Sequence, residues 1–101
     1  MKFGLSDIEF GVLRQLVILP LKRLSVRIYV FGSRSTGRHH PFSDIDLLLV
    51  PHGLTGLSPS DLSSIKEAIE ESTFPIKVDF VLMEDLAASY KERVMGEMIE
   101  V

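Results

Sequence analysis

The stretch Ile45-Asp46-Leu47-Leu48-Leu49-Val50 limits the possible folds more than any other part of this chain. Successive side chains of a strand point to opposite faces. A run that is apolar at both parities therefore needs cover on both sides, as the interior strands of layered α/β sheets have. Two further segments read as strands. Arg27 to Phe31 is rich in β-branched and aromatic residues, and Ile76 to Leu82 follows the same pattern. Between and around them lie three segments of helical period. Ser6 and Glu9 have capping-box spacing, and Ile8, Val12, Leu16 and Leu19 recur on one face until Pro20, where the pattern predicts a stop. Ser58-Pro59 predicts a second start, with serine as cap and proline in the first turn, followed by a stripe of Leu62, Ile65, Ala68 and Ile69 that ends before Pro75. A third helix is expected from Glu84 to about Met95, with Leu86, Tyr90 and Val94 turned to the core, a weak point at Gly96 and an extended segment from Met98 to Val101. Pro51 to Leu57 reads as a loop. The order α-β-turn-β-α-β-α predicts an α/β (α+β) fold, a small mixed β-sheet flanked by helices, and 101 residues predict a single domain over 1–101.

Composition narrows the function classes. The absence of cysteine removes disulfide and thiolate-metal chemistry and fits a cytoplasmic location. A net charge of -3 disfavours direct nucleic-acid binding, which needs a basic face. Neither a stretch of the ~20 apolar residues that span a bilayer nor a basic-then-apolar leader is visible, so no membrane association is expected.

The chemistry-bearing residues cluster around the central run. Gly32-Ser33 closes the first strand, and ten residues later Asp44-Ile45-Asp46 opens the second. Residues two apart on a strand share a face, with Cα atoms roughly 6.6–6.8 Å apart, so Asp44 and Asp46 are expected to point the same way. Two carboxylates so placed suit magnesium, which takes one or two protein carboxylates together with phosphate oxygens and water. Asp79, within the third strand, is expected to add a third carboxylate if that strand lies beside the second, holding metal near the attacking group and helping to deprotonate it. Gly32 lets a phosphate approach the backbone, while the Ser33 hydroxyl and the N–H groups of a helix start offer donors. Arg34 and Arg38 are candidates for a phosphate contact or, equally, surface residues. An Asp-x-Asp alone fits an ordinary polar strand edge. The Gly-Ser turn at a fixed distance and the later acid favour a metal–nucleotide site instead.

Read as Gly-Ser, ten residues, Asp-x-Asp, with the wording Ser-Asp-Ile-Asp-Leu at Ser43 to Leu47, residues 32–46 resemble the signature of the DNA polymerase beta nucleotidyltransferase superfamily. At this length the chain looks like a minimal nucleotidyltransferase, and the resemblance spans residues about 5–95. It implies magnesium-dependent transfer of a nucleoside monophosphate, usually AMP from ATP, with two Mg2+ ions. By position, Gly32, Ser33 and Arg34 would bind the nucleotide, and Asp44, Asp46 and Asp79 would be catalytic and hold metal. It also implies a HEPN-type helical protein as partner in a hetero-oligomer, with the chain as an antitoxin that modifies the partner on a hydroxyl, since no second lobe for a small acceptor is evident. A non-catalytic antitoxin or adaptor that acts by stable binding is the alternative. Many relatives carry a basic residue where this chain has Thr36 and another where it has His40. His39 and His40 read as loop residues rather than a metal pair. Glu67, Glu70 and Glu71 read as a wet helix face. Met95, Met98, Ile99 and Val101 are divided evenly between packing and a partner-facing edge.

Overall fold

The computed structural model describes residues 2–53 and 57–101; residues 54–56, part of the expected 51–57 loop, lie outside the described residues. Ser6 caps the first helix as its spacing predicts, accepting from the Glu9 N–H while the Glu9 side chain accepts from the Ser6 N–H. The helix does not stop at Pro20. Helix α1 (Asp7–Leu13) runs into a π-helical segment (Arg14–Ile18) and then α2 (Leu19–Arg23). The Leu19 N–H donates to the Arg14 carbonyl, one residue further back than in an α-helix. Proline has no N–H and its ring presses on the preceding turn; a widened turn accommodates both defects. The buried stripe is Leu13, Val17, Ile18 and Leu21, whereas Ile8, expected on the core face, is 82% exposed. Ser25, with a left-handed φ of 60°, ends the helix and turns the chain into the sheet.

Among the described residues the sheet has four strands, β1 (Val26–Phe31), β2 (Ile45–Pro51), β3 (Val78–Leu82) and β4 (Ile99–Glu100), in the order β3-β2-β1-β4. β1 pairs antiparallel with β2, and β2 pairs in parallel with β3. A parallel pair cannot be joined by a hairpin, and α4 (Pro59–Glu70) provides the crossover, capped by Ser58 with proline in its first turn. β3 begins at Val78, two residues later than the expected Ile76. In place of one helix from Glu84 there is a 3-10 turn (Met83–Asp85), then α5 (Ala88–Glu97), which continues through Gly96. The chain then pairs as β4 (Ile99–Glu100) with β1, held from the side by Arg27, whose Nε and Nη2 donate to Glu100 at 3.0 and 3.1 Å.

β2 has the two-sided burial that its sequence demands. Ile45, Leu47 and Leu49 join Val26, Ile28, Val30, Leu13, Val17, Leu21, Ile65 and Ile69 in one cluster between sheet and helices. Leu48, of the opposite parity, is fully buried as well. α5 buries little of itself: Val94 is covered, while Tyr90, expected in the core, is 57% exposed and Met95 58%.

Candidate active site

The polar end of β2 meets the end of β1 and the start of β3. In register, Asp46 stands opposite Phe31 on one side and Asp79 on the other. Neighbours in register share a face, and adjacent strands lie about 4.8 Å apart, so the Asp46 and Asp79 carboxylates are brought together. Asp44 stands one residue before β2, exposed, and its charge acts on Asp46. Burial, reinforced by the negative charges of Asp79, Asp44 and Glu97, pushes Asp46 up to about 6 from the usual carboxylate value of 3.8. Lys77, whose Nζ lies 3.5 Å from Asp79 Oδ1, is the nearby cation, and at 72% side-chain exposure it offsets little of that field. Asp46 and Asp79 line an open cleft of about 570 Å³ together with Phe31, Lys66, Lys77 and Leu86, a volume within the range of ligand sites.

The turn after β1 is shaped around Asp46. Gly32 has φ 77° and ψ -154°, and a Cβ built on it would lie 2.5 Å from Asp46 Oδ2. Only glycine takes this conformation readily, and only glycine leaves the carboxylate its place. Ser33 then opens the short helix α3 (Ser33–Thr36), which ends on Gly37 in a left-handed conformation. The Gly32 carbonyl collects the Ser35 N–H and the hydroxyls of Ser35 and Thr36, so the turn is rigidly tied.

Arg34, expected beside the nucleotide, is engaged with the main chain. Its side chain is 2% exposed and donates to three main-chain carbonyls: from Nε to Ser43 at 2.9 Å, from Nη1 to Phe3 at 2.8 Å and from Nη2 to Pro41 at 3.3 Å. The guanidinium clamps the loop leading into Asp44 to the segment before α1. The same two segments meet where the His39 ring packs on Gly4, leaving no room for a Cβ there. His40 and Arg38 are exposed.

One site residue had no signal in the motif. Glu97, in the last turn of α5, accepts a hydrogen bond from the Gly32 N–H at 3.0 Å and is among the charges that raise Asp46. Its only sequence clue is an acid at a helix C-terminus, where the macrodipole disfavours it.

The donor set fits a magnesium–nucleotide group. Among the described residues no three His, Cys, Asp or Glu side chains converge tightly enough to hold an ion as they stand. Magnesium, however, is ordinarily held by one or two carboxylates plus substrate phosphates and water rather than by an all-protein cage. Two paired carboxylates whose charge an exposed lysine only partly offsets, beside a backbone turn stripped of its Cβ, supply the protein's share of that arrangement. Asp46 and Asp79 would hold the metal with Asp44 alongside, and the cation would balance the charge that now raises Asp46.

A small α+β domain with a four-stranded mixed sheet and flanking helices matches the polymerase beta-like nucleotidyltransferase fold. The chain belongs to that family: the match to Polymerase beta, Nucleotidyltransferase covers residues 21–101, from α2 through the turn, both carboxylate strands, α5 and β4. Among solved structures, a candidate minimal nucleotidyltransferase is 27% identical, with 100% of this chain aligned to 97% of that one and a TM-score of 0.72. A toxin-antitoxin solved with AMP-PNP aligns over 86% of this chain and 70% of its own, at 22% identity and a TM-score of 0.63. A mutant of the toxin-antitoxin MntA-HpeT gives 19% identity, the same coverage and a TM-score of 0.62. The last two likenesses are of fold. No curated protein sequence matches the chain.

Proposed function

We propose that this chain is a magnesium-dependent nucleotidyltransferase that moves a nucleoside monophosphate, AMP from ATP, onto a hydroxyl of a partner macromolecule. The observation that carries the reading is the convergence of Asp46, Asp79 and the Cβ-less face of Gly32 at one end of β2. In the transfer, the acceptor oxygen forms a bond to the α-phosphorus as the bond to the β-phosphate bridging oxygen breaks, and pyrophosphate leaves. Phosphoryl-type transfer asks a protein for positioning and charge neutralisation rather than covalent chemistry. Gly32 and Ser33 seat the triphosphate. Asp44, Asp46 and Asp79 bind the cations, two in number, whose role is to neutralise the donor's charge when bound. Asp79 is assigned the proton of the attacking hydroxyl. Arg34 shapes the loop that presents Asp44.

The partner reading follows the fold likeness to toxin-antitoxin components. The chain acts as the antitoxin of a HEPN-type helical toxin, modifying it in a cytoplasmic hetero-oligomer. Among the described residues no helix is long and apolar enough to cross a membrane. The test is label transfer from α-labelled ATP to the co-expressed partner in the presence of Mg2+. Label on the partner, lost when EDTA is added, is the expected result. Neutralisation of the partner with no label transferred would reject the enzymatic reading in favour of antitoxin action by stable binding.

A further inference from the structure

α5 buries one residue, Val94, and carries an acid in its final turn, where the helix dipole opposes a negative charge. The i,i+4 approach of the exposed Arg93, at 3.9 Å, offsets little of that, so the reason for Glu97 lies in its contact with the turn. The Glu97 side chain is 16% exposed although most of its helix faces solvent, and Oε1 accepts the Gly32 N–H at 3.0 Å across 65 residues of sequence. Oε2 lies 3.9 Å from the exposed Arg93 Nε, one helical turn back, beyond hydrogen-bond distance, so Gly32 is the close partner of this carboxylate. Gly32 is the residue whose conformation leaves Asp46 its place. Its carbonyl is fixed by α3, and its N–H is fixed from outside the motif, by Glu97.

We infer that Glu97 is a positioning residue for nucleotidyl transfer: by holding the Gly32 N–H it fixes the turn that must present the donor phosphates to the paired carboxylates. The inference rests on the proposed transfer reaction. A donor-side displacement of about 1 Å can cost on the order of 10²-fold in rate, so the hydrogen bond matters through geometry and not through its own strength. Reach and charge can be separated at this position. Glu97→Gln keeps an oxygen at the same reach and removes the charge; Glu97→Asp keeps the charge and withdraws it by one methylene; Glu97→Ala removes both.

The experiment follows two readouts in the full chain with its partner: hydrogen exchange of the Gly32 amide, and kcat and KM for label transfer. The inference predicts that Glu97→Ala and Glu97→Asp both lose Gly32 amide protection and at least 10-fold in kcat/KM, with circular dichroism unchanged, while Glu97→Gln loses far less of either. Glu97→Asp behaving like wild type with Glu97→Gln impaired would overturn it, because charge and not reach would then be the requirement. Loss of Gly32 protection with no change in rate would also overturn it. If Glu97→Ala does not fold, the Gln and Asp variants decide. Absence of transfer in the wild type would strike the enzymatic reading itself, and protection of the Gly32 amide would then judge the contact alone.

Discussion

β2 has two ends that obey opposite rules. From Leu47 to Leu49 every side chain is fully buried among apolar neighbours, and the strand is held by area removed from water. At its other end, Asp46 and the preceding Asp44 bring carboxylates toward Asp79 and Glu97, and the lysine beside Asp79, Lys77, is largely solvent-exposed. The first end stabilises the fold and the second works against it. Local strain of this kind persists because the packed end fixes the register of the charged one: β1, β2 and β3 align Phe31, Asp46 and Asp79 in one row.

Breaking the apolar end has the largest expected effect on stability. Leu47→Ala should cost ~2–5 kcal/mol by transfer and cavity terms, seen as a lower denaturant midpoint. Gly32→Ala attacks the charged end. The new Cβ must displace the Asp46 carboxylate at a φ that alanine resists, so kcat/KM for transfer should fall about 100-fold, a larger loss than any accompanying drop in stability. Arg34→Ala sharpens the boundary between the two ends. Three main-chain carbonyls lose their donor, at ~2 kcal/mol of stability. Because the clamped loop leads directly into Asp44, Mg-ATP affinity measured well below the melting midpoint should fall as well, though by less than in Asp44→Asn/Asp46→Asn.

The smallest effect is the most telling about cost. Because Asp46 holds its proton more firmly folded than unfolded, the folded state binds more protons between pH 3.8 and about 6, and stability falls as pH rises through that window. Asp46→Asn should therefore raise stability at pH 7 by ~1 kcal/mol, a figure discounted for the group's partial exposure. The gain should vanish at pH 4, as thermal melts at the two pH values will show.

How much of this was legible beforehand divides along the same line. The two-sided run of β2, the capping box at Ser6 and the spacing of Gly32, Asp44 and Asp46 are local, and local signals translate directly into structure. Four features escape such signals. Pro20 passes inside a helix because a π turn, which has no sequence pattern of its own, opens just ahead of it. Ile8 and Tyr90 occupy helical positions of the right period yet face outward, because the rotation of each helix is set by what it packs against. Arg34 sits where a phosphate contact is expected, and its three carbonyl partners, at Phe3, Pro41 and Ser43, come from two separate segments that its position in the sequence does not reveal. Glu97 lies 65 residues from the turn it contacts, with no motif to connect them.

A charged strand end built for a metal–nucleotide group must bind both together. Calorimetric titration with a non-hydrolysable ATP analogue, with Mg2+ or with EDTA, tests it on the wild type and on Asp44→Asn/Asp46→Asn. The account predicts wild-type binding that requires Mg2+ and is lost in the double variant while its fold is retained. Equal affinity in both proteins, or binding indifferent to Mg2+, would contradict it.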